Sequence, residues 1–217
     1  MATTRKPTHE AGAERFLPAH ISLKNLQESA KSCEGCPLYL HATQTVFGEG
    51  PKAARVVFVG EQPGDAEDRA GRPFVGPAGK ILDRALAAAG IARADSYVTN
   101  AVKHFKFEQR GKARLHKRPK AGEIGACSPW LHAELRVIRP DILVLLGATA
   151  GQALFGPSFR VGASRGKKLP SEWAKFVLAT VHPSSILRAP SPEERERAFE
   201  EFVADLKLVA RELARSH

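Results

Sequence analysis

The stretch that most constrains this chain is Arg55-Val-Val-Phe-Val-Gly-Glu-Gln-Pro-Gly-Asp65. Its run of β-branched and aromatic residues, Val56 to Val59, is apolar on both faces. That pattern belongs to a buried strand of a parallel sheet. Gly60, Pro63 and Gly64 then form a turn that carries Glu61, Gln62 and Asp65. Ligands of open α/β sheets bind beyond the carboxyl ends of the strands. The turn therefore lies where a site is expected. The plainer alternative is a strand-to-helix turn with solvated acids.

Three more strands follow the same logic, at Ser96 to Thr99, Ile142 to Leu146 and Phe176 to Val181. Helical patterns separate them. Leu23, Leu26 and Ala30 suggest a short helix capped by Ser22. Ile81, Leu82, Ala85, Leu86 and Ala89 form one stripe that stops at Gly90. Another helix is expected from about Gly122 to Val137, and a short one opens at Gly147-Ala-Thr149. The last begins at the capping box Ser191-Pro-Glu-Glu194 and buries Phe199, Phe202, Val203, Leu206, Val209 and Leu213. Four strands alternating with helices predict an α/β fold with a mainly parallel sheet covered on both faces. The glycines and prolines of Arg69 to Gly79 predict an irregular loop that presents Arg72 and Phe74. Residues 1–20 read as a flexible tail and 21–217 as a single domain.

The charge is +10, from 33 Lys and Arg against 23 Asp and Glu, which favours a polyanionic partner. No apolar run is long enough to span a membrane, and the N-terminus has no apolar signal core. A cytoplasmic chain is expected. Three cysteines, Cys33, Cys36 and Cys127, argue against a disulfide framework. The pair Cys33-Glu-Gly-Cys36 suits a metal or cluster. A redox dithiol is the rival, though such pairs usually open a helix after a strand. The segment Lys103 to Lys120 holds eight Lys or Arg and one acid, Glu108, together with His104, Phe105, Phe107 and His116.

Polar residues gather at the strand ends. Glu61, Gln62 and Asp65 follow the first strand, Asn100 the second, and His182, Ser184 and Ser185 the fourth. An Asn both donates and accepts, which suits the edge of a nucleobase. A His of fixed tautomer can donate to a developing oxyanion. Phe74 in a stiff loop can stack on a base. Singly, each has a bland counterpart: a turn cap, a core histidine, a core ring. Their convergence on one sheet edge favours a site.

Taken together, Gly60-Glu-Gln-Pro-Gly-Asp65, Glu67-Asp68, Gly71-Arg-Pro-Phe-Val-Gly-Pro-Ala-Gly79, Tyr97-Val-Thr-Asn100 and His182-Pro-Ser-Ser185 resemble the uracil-DNA glycosylase superfamily, most closely its iron–sulfur, family-four-like members. The basic insert Gly111-Lys-Ala-Arg-Leu-His-Lys117 resembles the loop of the UdgX branch, although Ala113 and Leu115 depart from the Arg and Ile usual there. The resemblance implies a three-layer α/β/α sandwich with a four-stranded parallel sheet. It implies uracil-containing DNA as partner, single strands preferred, with the base extruded into the pocket, and a monomeric protein. Asn100 would read the uracil edge, Phe74 would stack on it, and the Gln62 backbone would touch it. His182 would stabilise the leaving base, and Ser184 and Ser185 would pack on the DNA backbone. Cys33, Cys36, His104 and Cys127 would hold a 4Fe–4S cluster. A Cys₃His zinc site has the same ligand count.

The resemblance also implies the chemistry. Glycosidic cleavage leaves an oxocarbenium-like sugar, which a carboxylate stabilises. Glu61 is the candidate. In the UdgX-like reading His116 attacks the anomeric carbon, Glu61 helps remove the imidazole proton, and the product is a protein–DNA bond. His116 must then be neutral, and its neighbours Arg114, Lys117 and Arg118 are expected to depress its pKa. Asp65 could hold the loop by accepting hydrogen bonds. The alternatives are a turnover glycosylase that releases an abasic site and a non-catalytic iron–sulfur DNA-binding module, in which His116 contacts phosphate.

Overall fold

A computed structural model describes residues 12–215. Four strands pair in parallel: β1 (Val56–Gly60), β2 (Ser96–Asn100), β5 (Ile142–Leu146) and β7 (Phe176–Thr180). Two further strands, β3 (Phe107–Arg110) and β4 (Ala113–His116), form a separate antiparallel hairpin. A two-residue strand, β6 (Lys168–Leu169), adds antiparallel to β7. The main sheet thus has five strands in the order β2-β1-β5-β7-β6. The expected four-stranded parallel sheet is its core, and β6 is the correction. So short an edge strand leaves few apolar positions for a sequence pattern to register.

The helices are α1 (Leu23–Ala30), α2 (Asp65–Ala70), α3 (Pro77–Ala89), α4 (Ala121–Ile138), α5 (Ala148–Phe155), α6 (Val161–Ser164), α7 (Pro183–Leu187) and α8 (Pro192–Arg215). Every residue of β1, β2 and β5 is buried, as two covered faces require. Alternate residues separate the two cores. Val56, Phe58, Val98, Val144 and Leu178 pack with α3 and α8, through residues such as Leu82, Leu86, Phe202 and Leu206. Val57, Val59, Tyr97, Leu143 and Val177 pack with Leu131 and Leu135 of α4 and Ala150 of α5. The result is the expected three-layer sandwich.

Local signals hold where they were clearest. The hydroxyl of Ser22 accepts the Asn25 N–H at 3.2 Å, and Ser191 accepts the Glu194 N–H at 3.1 Å. Gly90 takes the left-handed conformation that ends α3. Two expectations need correction. The irregular loop is shorter than Arg69 to Gly79, because α2 runs through Ala70 and α3 starts at Pro77. The tail expected over residues 1–20 lies outside the described residues up to 11. Ala13–Phe16, however, form a turn of 3₁₀-helix with Ala13 buried beside Cys33 and Cys127. No helix among the described residues is long and apolar enough to cross a membrane.

Candidate active site

The parallel register sends the carboxyl ends of β1, β2, β5 and β7 to one edge. A cleft of about 890 Å³ opens there, lined by Glu61, Gln62, Phe74, Asn100, His116, Thr149, His182 and Arg188 among others. Asn100 is buried at the end of β2, opposite Gly60 in register. Gly60 must lack a side chain. A Cβ there would lie 2.3 Å from Asn100 Oδ1 and 2.6 Å from the Phe74 ring. The Phe74 backbone is left-handed, with φ of 56°, a conformation that costs a non-glycine residue energy and persists only where its surroundings enforce it. Glu67 supplies that enforcement. Its carboxylate accepts the Gly64 N–H at 3.0 Å and the Gly76 N–H at 2.7 Å, which clamps both sides of the loop.

His182 stands after β7, with its ring stacked on Phe74 at 6.2 Å between centroids. Its Nδ1 accepts the Ser184 N–H at 3.2 Å and lies 2.8 Å from the Ser184 hydroxyl. That contact places the ring proton on Nε2. Burial, then His116 and Arg188, push its pKa down to about 4, so it stays a neutral donor. Ser184 is therefore engaged with the imidazole. The hydroxyl of Ser185 donates to the His182 carbonyl at 2.8 Å.

Glu61 and His116 meet at the mouth of the cleft, with Nε2 3.4 Å from Oε1. The other carboxylate oxygen of Glu61 accepts the Thr149 hydroxyl at 2.6 Å. His116 belongs to the β3–β4 hairpin, which three tethers hold against the cleft. Arg114 pairs with Asp65 and, at 2.6 Å, with buried Asp68, and lies over the rings of Phe105 and Phe107. The Gln62 amide accepts the Lys106 N–H and donates to the carbonyls of Lys106 and Lys117, each at 3.1 Å. Lys106 pairs with Glu123 at 2.8 Å. Asp65 thus holds the arm, and the Gln62 side chain is occupied at the arm's base.

The His116 pKa is lowered, as expected, but for a different reason. Burial is the first cause and Arg188 adds to it, while Glu61 opposes them. The neighbours in sequence are engaged elsewhere: Arg114 with the two aspartates, Lys117 with Glu108 at 2.6 Å, and Arg118 with Gln152 at 2.9 Å.

Behind this wall, Cys33, Cys36 and Cys127 are buried free cysteines in one apolar cluster with Trp130 and Leu26. Trp130 Nε1 donates to Cys33 Sγ at 3.2 Å, and the Lys103 N–H to Cys127 Sγ at 3.2 Å. His104 is buried, and burial pushes its pKa down to about 4. The Thr45 hydroxyl donates to the Ala30 carbonyl at 2.7 Å, so it can only accept from His104 Nε2, 3.0 Å away. That leaves the lone pair on Nδ1, as a ligand requires. Burial raises the Cys36 thiol and pushes Cys127 up to about 12. A bound cation reverses that preference. Among the described residues no three His, Cys, Asp or Glu side chains gather around a single-ion position.

Lys103 links this cluster to the cleft. Its buried ammonium donates to Glu134 at 2.5 Å, Thr99 at 2.6 Å and the Asn100 carbonyl at 2.9 Å. Tyr97 and Thr99 also donate to Glu134, at 2.8 and 2.9 Å.

The sequence matches the family model described as uracil DNA glycosylase superfamily over residues 47–207. This chain belongs to the uracil-DNA glycosylase superfamily. It is 40% identical over 179 residues to a type-4 uracil-DNA glycosylase of Thermotoga maritima, covering 82% of this chain and 89% of the relative. Type-4 enzymes of Archaeoglobus fulgidus and Pyrobaculum aerophilum are 36% and 34% identical, over 87% and 79% of this chain and 92% and 87% of theirs.

Sequence reasoning missed Thr149, Arg188 and Glu67 in the lining of the cleft, and buried Asp68 as an anchor of the hairpin beside it. Thr149 had a usable signal, since Gly147-Ala-Thr149 ends a buried parallel strand just as Gly60-Glu-Gln62 does. Asp68 acts through Thr43 and Arg114, both distant in sequence, and Glu67 through the backbone of Gly64 and Gly76, which carries no residue-type signal.

Proposed function

We propose that this chain excises uracil from DNA and remains bonded to the sugar through His116. The observation that carries the reading is the 3.4 Å approach of His116 Nε2 to Glu61 Oε1 at the cleft mouth. The similarity to type-4 uracil-DNA glycosylases supports the substrate. The basic hairpin supports a nucleic-acid partner.

The steps follow from the positions of the groups. Asn100 reads the extruded base and Phe74 covers its face. The bond between the anomeric carbon and the base nitrogen breaks, and its electron pair leaves with uracil. His182 donates its Nε2 proton in a hydrogen bond to the developing oxyanion. Before attack, Glu61 relays the Nε2 proton of His116 to water while Nδ1 takes one up from solvent, so the ring stays neutral with a free Nε2 pair and the carboxylate faces the cationic sugar. The free Nε2 pair then bonds to the anomeric carbon. The resulting imidazolium loses its remaining proton from Nδ1 to solvent, which the half-exposed ring permits.

Cys33, Cys36, Cys127 and Nδ1 of His104 would hold a 4Fe–4S cluster. Three buried thiols and an imidazole fixed as a neutral ligand fit such a group. Its contribution would be structural, tying α4 and the segment after β2 to the residues around Cys33 and Cys36. Cleavage and attack consume no electron.

The test is denaturing electrophoresis after mixing with uracil-containing single-stranded DNA. A slow-migrating protein–DNA band that is absent with thymine in place of uracil is the expected result. Free DNA with a heat-labile abasic site would instead establish a turnover glycosylase, and DNA with uracil intact would leave only a binding module.

A further inference from the structure

The turn after β5 carries no residue of the reaction described so far, yet it sits at the centre of the site. In the strand order β2-β1-β5-β7, it separates the Glu61 turn from His182. Gly147 adopts φ of 91°, and its N–H donates to the Thr180 carbonyl at 2.9 Å. A Cβ on it would lie 3.0 Å from the Cβ of His182. Two residues later, Thr149 is 1% exposed in the first turn of α5. Its hydroxyl donates to Glu61 Oε2 at 2.6 Å. The turn is thus referenced to the base-side histidine on one flank and to the sugar-side acid on the other.

A carboxylate on a turn can rotate between equivalent orientations. Here one oxygen is fixed by a buried hydroxyl, so the other, Oε1, is the one presented toward His116. We propose that Thr149 is a positioning residue that fixes the orientation of the Glu61 carboxylate and so holds its free oxygen toward His116 and the sugar. The assignment rests on the reading of Glu61 given above. A hydroxyl is needed because it donates one hydrogen bond without adding charge beside a developing cation. A short side chain suffices because the buried Thr149, in the first turn of α5, reaches the carboxylate at 2.6 Å.

The test uses the full chain and single-turnover release of uracil from single-stranded DNA, with the adduct band followed in parallel. Thr149→Val keeps the shape and removes the donor, and release is expected to slow by about tenfold, the usual worth of one hydrogen bond to a charged group. DNA affinity and melting temperature should be unchanged. Thr149→Ser should restore the rate. In a Glu61→Ala background, Thr149→Val should have no further effect, because its partner is gone. A wild-type rate in Thr149→Val, failure of Ser to restore it, or the same loss with and without Glu61 would each overturn the assignment. Uracil release by the wild type without an adduct would remove the covalent reading alone and leave Thr149 judged by release. No release by the wild type would overturn both.

Discussion

The two walls of the cleft are built on different principles. One is the edge of the sheet, where Asn100, Phe74 and His182 sit on or beside strands buried on both faces. The other is the β3–β4 hairpin, only four residues per strand, with the His116 side chain 49% exposed. Hydrophobic burial fixes the first wall. Ion pairs and amide contacts fix the second, through Arg114, Gln62 and Lys106. On the function proposed above, the difference assigns precision to the groups that would read the base and leaves the group that would react on an arm that changes can reach without disturbing the reader. Base recognition and bond formation should therefore be separable by mutation.

The largest separation is expected from His116→Gly. The adduct band should disappear completely while uracil release continues, read on the same gel after alkaline cleavage of abasic sites. A persistent adduct would place the bond on another residue. Damage to the sheet wall should act the other way round. Asn100→Ala removes a paired donor and acceptor, and uracil release should fall by about 10²-fold or more, as buried sites built to hydrogen-bond a substrate lose that much when the pairing is lost. Adduct and release should fall together. Gly60→Ala should do the same by pushing against Asn100 and Phe74.

Loosening the arm should have a smaller and selective effect. Arg114→Ala frees the hairpin from Asp65 and Asp68, and adduct formation should slow by about tenfold, because positioning rather than chemistry is lost. Release of uracil should be nearly preserved. Equal losses in both would show that the arm also supports the reader.

The smallest effect is on pH. In the proposed attack the ring is neutral, and burial and Arg188 lower the His116 pKa below its ordinary value of 6.5. Adduct formation should therefore rise with pH through a midpoint below 6.5 and then level off. Arg188→Ala removes one lowering charge, so the midpoint should move upward and the rate in mild acid should drop a few-fold. A midpoint that stays in place would assign the shift to burial alone.

The same contrast explains what could be read in advance. Strands with Val-Val-Phe-Val and Ile-Leu-Val-Leu-Leu patterns, and helices with Ser22 and Ser191 caps, record their structure within a few residues. The polar residues at their ends could be placed on one edge because parallel strands share a direction. The hairpin could not be foreseen. Phe107 to His116 shows no apolar alternation, and its support comes from Asp65, Asp68 and Gln62, more than 40 positions earlier. For the same reason the flanking basic residues were assigned to His116, whereas the fold directs their charges to other partners.

The sequence by itself determined the layered α/β class, the edge at which a site must lie, and the residue types available there, since burial pattern and strand direction are local properties. Only the tertiary structure decided how those residues are held: the Nε2 proton of His182, the Thr149 bond to Glu61, the Thr45 contact that orients His104, and the approach of His116. Each depends on where one short polar group lies relative to another, and most of these pairs join positions far apart in the chain. No local pattern encodes such a pairing until the sheet and its covering helices have brought the two segments together.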